Sequence, residues 1–395
     1  MSDPAKDTIV IVGAARTPMG SFQGELSGAK ATELGAVAIK AAMERAGVAP
    51  AEVDEVLMGC VLPAGQGQAP ARQASFGAGL PKEVPCTTVN KMCGSGMKTV
   101  MMGMDSLRAG EGRVVVAGGM ESMTNAPYVV PKMRQGARLG HAEMKDHMFL
   151  DGLEDAYEEG RLMGTFAEDC AESFQFTREE QDAYAIASLE AAMRAQNEGD
   201  FEREIAPVSV KTRKGEVTVA TDEQPRTARI DKIPTLKPAF RKDGTVTPAN
   251  SSSISDGAAA LVLMRESEVG DHPVRARILS YGSHAQEPAL FTTAPVKAIE
   301  KALDKAGWSR DDVDLWEVNE AFAVVPMAAA REIGIPREKL NVNGGACALG
   351  HPIGASGARI IVTLLHEMER RDVKRGVASL CIGGGEGTAV CIERD

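Results

Sequence analysis

Aromatic side chains are scarce, only 4% of 395 residues with two Trp and four Tyr, so the interior must be built from aliphatic groups rather than stacked rings. No run of about 18 apolar residues occurs, which excludes a membrane-spanning helix. Positive charge is also in deficit, 44 Lys plus Arg against 55 Asp plus Glu for a net charge of −11, which argues against nucleic-acid binding. The seven cysteines (60, 86, 93, 170, 347, 381 and 391) are an odd number without short paired spacings. With no basic, apolar leader before Thr8–Val12, they predict free thiols, no structural disulfide and a reducing, cytoplasmic setting. No G-x-G-x-x-G opens a helix after the first strand, and no glycine loop runs into Lys-Ser/Thr, so nucleotide binding is disfavoured. No His, Cys and carboxylate set has zinc-like spacing.

What is present is a chain with 44% hydrophobic and 25% charged residues, 41 Gly and 19 Met, enough for two or more domains around aliphatic cores. The chain repeats itself. Residues Ala42–Asp54 and Ala302–Asp314 align without a gap at an offset of 260, each reading as a helix end, a Gly cap, a polar turn and a buried strand. Apolar strands from Arg113 and from Gly376 both run into glycines. Strands alternating with helices predict an α/β fold of two similar halves, each a mostly parallel sheet covered by helices.

The division that follows is an N-terminal domain over 1–122, an insertion over 123–250 and a C-terminal domain over 273–395, with about 251–272 completing the first. Within that last segment, Ser255–Met264 is predicted as a helix turn followed by a strand. The insertion has a charge-rich helix over Thr177–Asn197, a hairpin over Lys211–Ala220, and Arg134, Arg138, Arg161, Arg226, Arg229, Lys237, Arg241 and Lys242 as its cationic surface.

Three glycine-set segments carry the chemistry. Cys93 follows a strand-like segment and precedes Met97, Val100, Met101, Met104 and Leu107, one face of a helix. At a helix N-terminus the free N–H groups and dipole favour thiolate, as a sulfur nucleophile needs. His351 lies in a Gly-His-Pro loop before the helix through Ile360 and Leu364, placed to take a proton and later donate a hydrogen bond. Cys381 ends a strand and opens the Gly383–Gly385 turn, where sites of parallel sheets gather, and is predicted as an acid or base. Asn319 stands where a strand meets a helix, as an N-cap or as the holder of a water facing an oxyanion.

Taken together, Ala15-Arg16-Thr17-Pro18, the Cys93 segment, Asn319-Glu320-Ala321-Phe322, Gly350-His351-Pro352 and Cys381-Ile382-Gly383-Gly384-Gly385 resemble the thiolases, over essentially the whole length. The resemblance implies a duplicated five-layer αβαβα architecture with an inserted, CoA-binding loop domain, and a homo-oligomer, dimer or tetramer. It implies reversible ping-pong condensation of two acetyl-CoA to acetoacetyl-CoA and CoA, with no metal or redox cofactor. By position, Cys93 would be acylated, His351 would activate it and Cys381 would remove the α-proton. His351 with an Asn319-bound water would form one oxyanion hole, and the N–H groups of Cys93 and Gly383 the other. Ser252 would meet the pantetheine arm and Met163 the acyl group. Phe291 would border the pocket, and Arg226 would contribute to substrate binding. The chain has Leu162 where many short-chain members have His, and Cys347 in place of an aliphatic residue. A degradative enzyme for longer 3-ketoacyl chains, a non-catalytic acyl-CoA or lipid binder, and a carrier-protein condensing enzyme are the alternatives.

Overall fold

The computed structural model describes residues 7–213 and 215–395. Chain order in the first half is β1 (Ile9–Arg16), β2 (Gly20–Ser21), α1 (Ala31–Ala46), β3 (Glu55–Gly59), α2 (Pro70–Gly77), β4 (Cys86–Val89), α3 (Ser95–Arg108) and β5 (Val114–Ser122). The insertion contains β6 (Tyr128–Val129), β7 (Lys145–Asp146), α4 (Met163–Phe174), α5 (Arg178–Glu198), β8 (Val208–Thr212), β9 (Gly215–Val219) and α6 (Gln224–Thr227). Then come β10 (Ser255–Arg265), β11 (Ala276–Ala285), α7 (Ala294–Ala306), β12 (Leu315–Val318), α8 (Val324–Ile333), α9 (Ala346–Leu349), α10 (Ile353–Arg371), β13 (Arg375–Ile382) and β14 (Glu386–Glu393).

The internal repeat is visible atom by atom. Helices α1 and α7 both end on a left-handed glycine, Gly47 at φ 65° and Gly307 at φ 69°. After the turn, an aspartate just before the next strand plays the same part in each half: Asp54 accepts from the N–H groups of Arg113 and Val114, and Asp314 from those of Lys374 and Arg375. These bonds tie β3 to β5 and β12 to β13 in the same way.

Alternate side chains of the same strands enter different cores, as a pleated strand requires. Val10 and Val12 of β1 pack with α1, whereas Ile9 and Ile11 pack with α3 and α10. In β13, Ala378 and Leu380 face α10, whereas Val377 and Cys381 face α7 and α8. Helix, sheet, helix, sheet and helix therefore follow one another in five layers, with α3 and α10 in the middle.

Strand direction differs from the sequence expectation. Among the described strand pairs, only β3–β4, β3–β5 and β12–β13 are parallel, whereas β1–β10, β10–β5, β11–β14 and β13–β14 are antiparallel. The reason is connectivity: Gly383–Gly385 closes a tight hairpin between β13 and β14, which forces the return strand to run antiparallel. Residues 255–265 are strand throughout, with no helix turn, and β10 lies between β1 and β5. Pairing of Ile9–Ile11 with Ala276–Ile278 joins both halves into one ten-stranded sheet. The insertion's helix begins after Thr177, whose hydroxyl accepts the Glu180 N–H while the Glu180 carboxylate accepts the Thr177 N–H.

Candidate active site

Cys93 sits two residues before α3, and His351 two residues before α10, so the two side chains occupy equivalent places in the duplicated halves. Glycine brings them together by a route other than donor crowding. A Cβ on Gly96 would lie 2.8 Å from the Ala358 nitrogen, and one on Gly357 would strike the Met97 backbone. The two inner helices thus approach backbone to backbone at their first turns.

The turn that presents Cys93 is tight. Met92 is a non-glycine residue at φ 48°, a conformation costing roughly 1 kcal/mol or more. It is held by the Asn90 side-chain oxygen, which accepts the Met92 N–H at 3.0 Å, and by Ser95, whose hydroxyl accepts from the Lys91 N–H and donates to the Met92 carbonyl. Lys91 forms an ion pair with Glu386 of β14, fastening this turn to the other half.

The Cys93 sulfur accepts from the N–H groups of Gly383 and of Cys93 itself, both of which favour thiolate. Although the residue retains some exposure, desolvation around the sulfur is the larger effect, and it pushes the thiol up to about 11. The helix-start expectation of a resting thiolate is therefore reversed: burial outweighs the donors.

His351 is 5% exposed, and burial, followed by the Arg359 charge, pushes its imidazole down to about 3. Its Nδ1 lies 2.6 Å from the Ser356 hydroxyl, which in turn donates to the Pro352 carbonyl at 3.0 Å. Because that hydroxyl proton is committed, Ser356 must accept, which places the imidazole proton on Nδ1 and leaves Nε2 with its lone pair free. Nε2 faces the Asn319 amide nitrogen at 3.5 Å. Asn319 is not an N-cap, since α8 starts only at Val324. Its oxygen faces Arg359 Nη2 at 3.5 Å and its backbone N–H is donated to Ser379, so its amide is oriented with nitrogen toward the imidazole.

Cys381 is fully buried in β13, and burial followed by the nearby Cys93 charge holds its thiol well above the ordinary range. Gly383 meets Met163 on its open side, where an added Cβ would lie 3.6 Å from the Met163 sulfur. Phe291 is buried edge-to-face against Phe166, on the same helix as Met163, and in the cluster that includes Cys381. Ser252 donates its N–H to Ala321, the residue two beyond Asn319, and the neighbouring Ser253 carbonyl accepts the His351 N–H. Arg226 is different: its guanidinium pairs with Glu25 at 2.6 Å and the Asp222 carbonyl, and none of its polar contacts is with the cysteine and histidine cluster.

Half of the expected cationic surface is spent on ion pairs. Arg161, Arg229 and Arg241 pair with Glu158, Asp231 and Asp169. Among the described residues, exposed Arg134, Arg138, Lys237 and Lys242 form none.

Sequence reasoning missed three residues that position the site. Ser356 orients His351, Arg359 orients Asn319, and Glu121 is buried between the cysteine and histidine segments. Ser356 and Arg359 had a signal, lying five and eight residues after His351 in one helical run. An acid closing an otherwise apolar strand was the only sign of Glu121.

Two family models match almost the whole chain: "Thiolase, N-terminal domain" over residues 9–267 and "Thiolase, C-terminal domain" over 272–394. A Pseudomonas aeruginosa protein named acetyl-CoA acetyltransferase is 53% identical over 98% of this chain and 99% of its own length. One of the same name from Rhizobium meliloti is 51% identical over the full length of both. The crystal structure of the Bacillus anthracis acetyl-CoA acetyltransferase superposes with a TM-score of 0.95 at 42% identity, covering 99% of both chains. The chain belongs to the thiolase family.

Proposed function

We infer that this protein is an acyltransferase that condenses two acetyl-CoA to acetoacetyl-CoA and CoA, reversibly and through an acyl-cysteine. The observation that carries the reading is the Cys93 sulfur at the head of α3, facing the Gly383 and Cys93 N–H groups. Those two donors fit a tetrahedral intermediate built on that sulfur. Near-complete coverage by relatives bearing that activity in their names supports the substrate.

In the first half-reaction, His351 Nε2 takes the Cys93 proton as sulfur attacks the acetyl carbonyl, and CoA leaves carrying the Cys381 proton, so that Nε2 stays protonated and Cys381 becomes a thiolate. In the second, the Cys381 thiolate takes an α-proton from a new acetyl-CoA. The enolate oxygen accepts from the His351 Nε2–H and from a water held by Asn319, and the carbanion attacks the acetyl group on Cys93. Cys93 departs as thiolate and receives the Nε2 proton of His351, while Cys381 keeps the α-proton, which restores the resting thiols and neutral imidazole. Every proton and electron pair is accounted for by thiol, imidazole and thioester, so the scheme uses no metal or redox cofactor.

Met163 and Phe291 fit an acyl pocket wall, and Ser252 fits a contact to the pantetheine arm. The insertion fits CoA binding, with Lys237 and Lys242 better suited to its phosphates than the paired Arg226. Exposed Phe22, Phe76, Leu139 and Met144 suit a homo-oligomer, dimer or tetramer, and seven free cysteines suit a reducing cytoplasm. No helix among the described residues is long and apolar enough to cross a membrane.

Intact-mass measurement after exposure to acetyl-CoA tests the scheme. One acetyl group is expected on Cys93, none in Cys93→Ala, and an acetylated but condensation-dead enzyme in Cys381→Ala. Acetylation elsewhere, or faster thiolysis of long 3-ketoacyl-CoA than of acetoacetyl-CoA, overturns it.

A further inference from the structure

Glu121 is a fully buried carboxylate near the end of β5, and among the described residues it forms no ion pair. Four donors converge on it instead. Oε2 accepts from the N–H groups of Val61 and Gly354, both at 2.9 Å, and Oε1 accepts from the Leu62 N–H at 3.1 Å and the Cys60 thiol at 3.5 Å. A Cβ on Gly354 would lie 2.6 Å from Oε2, so the carboxylate sits where only a glycine backbone fits.

These donors belong to opposite sides of the site. Val61 and Leu62 pack with Ile353 against Met92 and Cys93, and the Val61 carbonyl accepts from the Asn90 amide that also holds Met92. Gly354 is in the first turn of α10, next to the Pro352 carbonyl on which Ser356 and thus His351 depend. We propose that Glu121 is a positioning residue that locks the nucleophile's turn to the histidine's helix, so that Cys93 and His351 keep their mutual geometry through both half-reactions.

Its charge adds a second effect. The titratable groups facing the carboxyl are Cys60 from the segment after β3 and Cys93 from the turn before α3. Strand β10 opposes it with Gly257, and α10 with the Gly354 N–H alone. Burial pushes the carboxyl up to about 7. When ionised, it disfavours a Cys93 thiolate, adding to burial, and so keeps the nucleophile protonated until substrate arrives.

The proposal rests on Cys93 as nucleophile. Full-length Glu121→Gln and Glu121→Ala test it by steady-state kinetics and by the pH dependence of Cys93 alkylation with iodoacetamide. Glu121→Ala is expected to lower kcat about 100-fold while KM for acetyl-CoA stays within about threefold, because geometry and not CoA binding is lost. Glu121→Gln, of the same shape but uncharged, keeps one acceptor oxygen for the Val61 and Gly354 N–H groups while its amide nitrogen faces the Leu62 N–H. It is therefore expected to recover part of kcat and to move the alkylation profile down by about half a pH unit. An alkylation profile for Glu121→Gln that overlays the unmutated one overturns the proposal, and so does an alanine variant with unchanged kcat. Should the alanine variant not fold, the glutamine profile alone decides. Failure of unmutated Cys93 to take an acetyl group would instead sink the reading of the reaction, while the alkylation profile still judges Glu121.

Discussion

At neutral pH the resting pair is thiol and neutral imidazole, since burial raises Cys93 to about 11 and lowers His351 to about 3. Alkylation of Cys93 is therefore expected to climb steadily through pH 9 to 11 with no plateau near 7, and a plateau there would show that the donors outweigh burial. In the proposed scheme, what makes neutral His351 a competent base is its tautomer. Ser356 accepts the Nδ1 proton only because its own proton is committed to Pro352, and that arrangement leaves Nε2 basic toward the reacting atoms. Ser356→Ala removes the acceptor without adding bulk, so the imidazole is free to turn or to exchange tautomers. A fall in kcat of about tenfold to a hundredfold is expected, with KM little changed and the melting temperature within a few degrees. Unchanged kcat would mean that packing alone orients the ring.

Among elements, the crossing of α3 and α10 decides the spacing of Cys93 and His351. Gly357→Ala would force a Cβ against the Met97 backbone and part the two helices, with an expected cost of about 1–3 kcal/mol. Its kcat should fall further than stability alone explains. Gly307→Ala is the control: its φ of 69° penalises alanine, yet open space surrounds it and the site lies elsewhere. That variant should lose melting temperature and keep kcat when assayed at 25 °C. The same elements show what could be read from the sequence. Helix starts, the repeat from Ala42 and Ala302, and the places of Cys93, His351 and Cys381 at element ends were legible because glycine and apolar periodicity are local signals. Strand direction was not, because a three-residue glycine turn after Cys381 and a long insertion before β10 decide pairing, and neither has a periodicity of its own. Glu121 was invisible for a related reason: its partners lie 59 to 233 residues away.

The whole molecule is two copies of one plan with an insertion closed against them, and charge is trapped between the first half, the insertion and α10. Arg16 is wholly buried between Glu204 and Asp222, Arg45 donates to the carbonyls of Ala14, Glu204 and Ile205, and Arg275 pairs with Glu369 of α10. His366 of α10 faces this cluster. It is nearly buried, gives its Nδ1 proton to the Val362 carbonyl, and is pushed down to about 3 by burial first and then by Arg275, Arg45 and Arg16. Unfolded, the same imidazole titrates near 6.5. Between those values the unfolded chain binds a proton that the folded one refuses, so His366 costs no stability above about pH 6.5 and progressively more as pH falls toward 3. His366→Gln has nothing to protonate. Comparing unfolding free energies of variant and unmutated protein isolates this residue from every other titrating group. The variant should be the less stable at pH 7.5 through lost packing. It should then gain on the unmutated protein by about 1.4 kcal/mol for each pH unit below about 6. A difference that stays constant from pH 7.5 to 4.5 would mean that His366 takes up its proton in the folded state, with the arginine cluster relaxing to let it.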